Sequence, residues 1–159
     1  MKIENIDVYD LENSLVASGY PMRTVAEQRD PNDKDWKRGL NLVRASFENG
    51  AHAQWLTGVR VAFDLTCSNK MWVEAERYRF LEFVSSQSTM HRIAKFDIAP
   101  QCNKYVVGET LEIVEKLKTE YNNNPTPENY LYLLYNIPSG FELTARLTTN
   151  YRCLLNIYV

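Results

Sequence analysis

Between Gly140 and Val159 the hydrophobic period changes from that of a strand to that of a helix with no turn residue in between. In "GFELTARLTTN", Phe141, Leu143, Ala145 and Leu147 fall on one face of an extended chain. The next segment, "NYRCLLNIYV", reads as a helix. A strand with one apolar face needs a sheet that is covered on that face. The same alternation recurs in "VRVAFDLT", where Val59, Val61, Phe63 and Leu65 oppose Arg60, Ala62, Asp64 and Thr66.

Helical patterns separate these strands irregularly. Trp36, Leu40, Val43 and Phe47 in "DWKRGLNLVRASFENG" stand at four-three-four spacing, a stripe expected to face a core, with Asn49-Gly50 as the stop. "NKMWVEAERYRF" reads as a helix with Met71, Ala75 and Tyr78 along one side, and "GETLEIVEKLKTEY" as another with Leu111, Val114, Leu117 and Tyr121. Thr126 is placed to cap a helix that has Pro127 in its first turn and ends by Pro138. "MKIENIDVYDL" suggests a short strand and "ASGYPM" a turn. No regular β-α-β rhythm appears. The expected class is α+β: a single domain over residues 1–159, with a mostly antiparallel sheet and several packed helices.

Composition narrows the function. Hydrophobic residues make up 45% and charged residues 24%, which argues against disorder. A net charge of −2 with scattered Lys and Arg offers no basic stripe for nucleic acid. No apolar run is long enough for a membrane span, and "MKIENIDVYD" lacks the core of a signal peptide. Cys67, Cys102 and Cys153 are odd in number and far apart, which suits a reduced, cytoplasmic compartment better than a disulfide framework. Two histidines and no C-x-x-C leave little to build a metal site from, so none is expected. Gly-rich phosphate loops and the nucleophile elbow are missing as well.

Two polar clusters stand out. "VSSQSTMHR", residues 84–92, follows an aromatic stretch and reads either as an ordinary polar loop or as a loop gripping an anionic ligand. In "TTNYRCLLN", Asn150 reads most simply as a helix N-cap. Arg152 then lies in the first turn, where its charge opposes the helix dipole unless it faces an anion. The planar guanidinium fork suits phosphate.

Taken in order, "SFENGAHAQWL", "RYRFLEFVSSQSTMHR" and "TTNYRCLLN" resemble the flavin-dependent thymidylate synthase family, from roughly Ser18 onward. That family carries a central R-H-R-x-x-S-x-N-E-x-S-x-R signature and a later N-x-R-x-x-x-N helix start. Asn150, Arg152 and Asn156 match all three positions of the later motif. Ser85 and Arg92 match the outer Ser and Arg of the central one, whereas Gln87, Ser88 and Met90 replace its Asn, Glu and inner Ser. Phe80, Leu81 and Glu82 stand where the family has Arg-His-Arg.

The resemblance implies a thymidylate synthase-complementing-protein-like fold and a homo-oligomer, a tetramer in the family. It also implies reductive methylation of dUMP with FAD, NADPH and methylenetetrahydrofolate. Ser85, Ser88 and Arg92 would contact the nucleotide, and His52, Gln87, Asn150, Arg152 and Asn156 the flavin. The family's uracil-polarising arginine would fall eleven residues after Asn150, beyond Val159. A divergent, shortened or phage-related member is therefore one expectation. A non-catalytic nucleotide- or flavin-binding or structural homologue is the other.

Overall fold

The structure is a computed structural model that describes residues 1–49 and 51–158. Its elements are β1 (Lys2–Tyr9), α1 (Leu11–Ala17), α2 (Asp33–Asn49), β2 (Arg60–Ser68), α3 (Asn69–Ala75) and β3 (Glu82–Ser86). They continue with α4 (Thr89–Arg92), α5 (Ile98–Gln101), α6 (Gly108–Asn123), α7 (Pro127–Tyr135), β4 (Glu142–Asn150) and α8 (Tyr151–Tyr158). The strands form one antiparallel sheet in the order β1-β2-β4-β3.

Register between β2 and β4 can be read from side chains. The Thr66 and Thr144 hydroxyls lie 2.7 Å apart, and Arg146 donates to Asp64 at 3.3 Å. Just past the end of β4, the Tyr151 N–H donates to the Val59 carbonyl. One number falls as the other rises, the mark of an antiparallel ladder. β4 continues into α8 without a loop, as the change of period predicts.

The chain divides into two compact units, Met1–Glu4 with Asp64–Leu147, and Asn5–Phe63 with Thr148–Val159. In the first, Ile93, Ile98, Val114, Leu133 and Phe141 form a fully buried cluster. Phe96 packs edge-on against Phe141 at 5.5 Å between centroids. α6 supplies Val114, backed by half-buried Leu111, Leu117 and Tyr121, the side expected from spacing. α7 begins as predicted: Thr126 Oγ1 accepts from the Asn129 N–H at 3.2 Å, and Pro127 occupies the first turn. Thr126→Ala should cost about 1 kcal/mol of stability, measured by urea unfolding. A loss within error of zero would mean that water caps α7 equally well.

The second unit corrects the reading of α2. Trp36, Leu40 and Phe47 are 40%, 57% and 51% exposed, so the apolar stripe does not enter the core. The buried side carries Asp35 and Gly39 instead. Asp35, 1% exposed, accepts from Arg23 at 3.2 Å, Arg29 at 2.6 Å and Arg38 at 2.8 Å. The Asn32 N–H adds a fourth donor at 3.0 Å. Gly39 has no Cβ where the Leu15 side chain and the Trp55 ring pack against the helix. Trp36, Leu40 and Val43 line an apolar cleft of about 520 Å³ with Leu11, Leu154 and Leu155. The expected stop at Gly50 lies outside the described residues.

α3 also differs from expectation. It stops at Ala75, and its buried residue is Trp72, while Met71 is exposed. Trp72 alone packs, its N–H reaching the Leu143 carbonyl at 3.2 Å, while Asn69, Val73 and Glu76 on the same side line a cleft. "VSSQSTMHR" is only partly a loop: Val84 to Ser86 end β3, and Thr89 to Arg92 form the single turn α4. Among the described residues no helix is long and apolar enough to cross a membrane.

Candidate functional site

Two clefts, one in each unit, hold three of the eight site residues expected from sequence: Gln87 and Ser88 in one, His52 in the other. In the first unit, α3 and the segment after β3 enclose about 390 Å³. Trp72, Val73, Phe83 and Leu143 make its apolar floor. The Trp72 and Phe83 rings are tilted by 60° with centroids 5.4 Å apart. Asn69, Glu76, Ser86, Gln87, Ser88 and Thr89 form the polar rim.

The backbone holds this rim in place. Gln87 extends the sheet edge: its N–H donates to the Thr144 carbonyl, and its Oε1 accepts from the Thr144 N–H, both at 2.9 Å. That fixes the amide, so Nε2 is its remaining polar group. Ser88 Oγ and His91 Nδ1 lie 3.0 Å apart, spanning the start of α4. The Tyr130 hydroxyl donates to the Thr89 and Met90 carbonyls at 3.2 and 2.6 Å and ties α4 to α7. Ser85 and Arg92 are exposed and do not line the cleft, although Arg92 ends the turn that Thr89 begins.

In the second unit, a cleft of about 510 Å³ is bordered by Ser14, Ser18, Leu42, His52, Gln54 and Trp55. His52 adopts a left-handed backbone, φ 73°. Such a conformation is uncommon for a residue with a side chain and tends to collect at ligand sites. Trp55 Nε1 is buried with no hydrogen-bond partner.

Asn150, Arg152 and Asn156 stand at the start of α8 in this same unit. Asn150 Oδ1 accepts from the Cys153 N–H at 2.9 Å, so the plain reading of Asn150 as a cap is correct. Arg152 is half-buried in the first turn, and Asn156 one turn later is exposed. Glu76, Trp72 and Phe83 carried no signal in the sequence. Only their position along α3 and β3 brings them together.

Cys67 and Cys102 are poor nucleophiles. Burial pushes the Cys67 thiol up to about 11 and raises that of Cys102 as well. Among the described residues no three His, Cys, Asp or Glu side chains gather as a metal site.

The fold has close structural relatives. Thymidylate synthase X from Helicobacter pylori, solved with FAD and dUMP, aligns with a TM-score of 0.73 at 17% identity, over 98% of this chain and 81% of that one. A second structure of that enzyme with the same ligands gives 0.74 at 16% identity, over 98% and 82%. A UMP/dUMP methylase from Streptomyces cacaoi, bound with 5-bromo-dUMP, gives 0.61 at 17% identity, over 96% and 75%. No family model and no curated protein matches the sequence itself. The likeness is one of architecture: this chain has the fold of the flavin-dependent thymidylate synthases.

Proposed function

We infer that residues 1–159 work as one flavin-dependent thymidylate synthase-like domain that binds FAD and dUMP. The single observation carrying this reading is the fold shared with relatives solved with both ligands. In this reading His52, Asn150, Arg152 and Asn156 are the flavin residues of the second unit, and Gln87 is the flavin residue of the first. Ser85, Ser88 and Arg92 supply the nucleotide side. When bound, FAD would take a hydride from NADPH and return it in the methylation of dUMP by methylenetetrahydrofolate.

The chain's own share is binding and orientation. The Arg92 guanidinium can donate two parallel hydrogen bonds to a phosphate. Asn150 locks the first turn of α8 through Cys153, which fixes the direction in which Arg152 leaves the helix. The His52 ring lines the second unit's cleft and is available to a flavin edge. A homo-oligomer, a tetramer by analogy, would cover the apolar cleft beside Trp36 and Leu40.

One observation favours a second reading, ligand binding without turnover. Phe80, Leu81 and Glu82 occupy the place of the family's Arg-His-Arg. The nearby Arg79 guanidinium lies over the Phe80 ring, 4.8 Å from its centroid.

A visible absorption spectrum before and after addition of FAD with dUMP tests the first reading, with light scattering on the same sample giving the oligomer. A bound-flavin spectrum is expected, and Arg92→Ala should weaken the dUMP dependence of it about tenfold or more without moving the ligand-free melting temperature. A folded protein that takes up no flavin with or without dUMP would sink the flavoprotein reading. NADPH oxidation by the loaded protein then separates turnover from binding.

A further inference from the structure

Two lysines and an arginine of α2 share one cleft in the second unit. Lys34, Lys37 and Arg38 line about 400 Å³ together with Asn41 and Leu42, and no acidic side chain joins them. Their order along the helix sets like charges three and four residues apart, where they repel. Lys34 and Lys37 also stand in the first two turns, where the helix dipole disfavours a cation. Asp33 precedes Lys37 by four residues, the spacing that favours an ion pair. Neither lysine nevertheless pairs with an acid among the described residues.

The arginine is held in place. Arg38 donates through Nη2 to Asp35 at 2.8 Å and to the Leu15 carbonyl at 3.1 Å, and through Nε to the Ser18 hydroxyl at 3.1 Å. Its Nη1 makes no bond among the described residues. The Gly19 backbone lies against this guanidinium so closely that a Cβ there would meet Cζ at 2.8 Å. Asp35 does not neutralise the cleft, because it also serves Arg23 and Arg29 and so stands alone against three guanidinium groups.

Two ammonium groups, a fixed guanidinium and an amide form a donor-rich surface that a single carboxylate would leave unsaturated. A di- or triphosphate group carries enough oxygens and charge to satisfy it. The cleft is of small-molecule size, and a chain of net charge −2 offers a nucleic acid no wider field. In the reading above, Arg152 and Arg92 serve the flavin and dUMP, which leaves the cations of α2 for another anion.

We propose that this face of α2 binds the di- or triphosphate group of a third small ligand, distinct from FAD and dUMP, with Arg38 as the fixed anchor and Lys34 and Lys37 closing on it. That the ligand is a third one rests on the proposed roles of Arg92 and Arg152; the phosphate site stands on the cleft itself.

Titration calorimetry of the full chain with inorganic tripolyphosphate tests this, with citrate as a polyanion built from carboxylates. Tripolyphosphate is expected to bind, and citrate to bind about tenfold more weakly or not at all. Lys34→Gln combined with Lys37→Gln should weaken tripolyphosphate by about tenfold or more at unchanged melting temperature. Lys116→Gln, which removes an exposed cation from α6, should leave it unaltered. Saturating FAD and dUMP should not displace it. Absence of binding, citrate bound as tightly, an equal loss in Lys116→Gln, or displacement by FAD or dUMP each overturns the proposal. Tripolyphosphate bound by a protein that takes up no flavin would count against the flavoprotein reading and leave the phosphate site standing.

Discussion

Asp35→Ala is expected to lower the unfolding free energy by about 3 kcal/mol, equivalent to a fall of about 9 °C in melting temperature for a chain of this size. The carboxylate lies inside α2's packed side and accepts from three arginines and one backbone N–H. Removing it strands three guanidinium groups near one another. Their side chains are 23–40% exposed and can turn toward water, so the loss falls at the low end of that for a broken buried pair. Arg38 has other duties too, donating to the Ser18 hydroxyl and the Leu15 carbonyl at 3.1 Å each, which keeps it from leaving freely. A loss below about 1 kcal/mol in denaturant unfolding would show that hydration replaces the cluster.

The same residue gives an acid dependence of known sign. The Arg29 hydrogen bond, followed by the Asn32 N–H, holds the Asp35 carboxyl far below the usual carboxylate range, against the opposing effect of burial. In the unfolded chain it protonates near pH 4. Its contribution is therefore complete above about pH 4 and is lost as pH falls toward the depressed native value. The gap between wild type and Asp35→Asn should stay constant from pH 7 to about 4 and shrink below it. A gap that grows with acid would contradict the assignment.

Phe141→Ala carries the other large effect, about 4 kcal/mol. Phe141 is fully buried, packs edge-on to Phe96, and sits at the centre of the cluster made by Ile93, Ile98, Val114 and Leu133. Its backbone is also a hub: the N–H donates to the Pro138 carbonyl, and its own carbonyl accepts from the Asn69 N–H. Truncation leaves those bonds in place and opens a cavity in a cluster drawn from several short helices. Phe141→Leu should recover more than half of the loss. Equal losses for both variants would point to the ring contact with Phe96 rather than to volume.

Strands β2 and β4 and the helices α6 and α7 were legible because their apolar residues are the ones that pack. Phe141, Ala145 and Leu147 are buried as their alternation indicates, and Thr126 caps where a threonine before a proline should. α2 was misread for a physical reason. Its packed side is built from a carboxylate and a glycine, neither of which contributes to an apolar stripe, and the stripe itself lies largely exposed beside a cleft. α3 differs because a single residue, Trp72, carries its packing, and one buried ring makes no periodic stripe. The candidate sites were legible only in part. Gln87 and Ser88 line a cleft, and His52 lines another, but Ser85 and Arg92 do not. Trp55 gained its interest from a missing partner, which no single sequence displays.

The direct passage from β4 into α8 sets a rule about chain length. Asn150 ends the strand and caps the helix in one residue, while the Tyr151 N–H is still bonded to Val59. An ordinary connecting loop absorbs an added residue by bulging into solvent. Here a single insertion before Asn150 would send its side chain to the opposite face and swing every α8 side chain by about 100°. The joint is phase-locked: it can accept a change of residue but not of count. Arg152 and Asn156 would hold their bearing through substitution of their neighbours and lose it together with the gain or loss of one peptide unit.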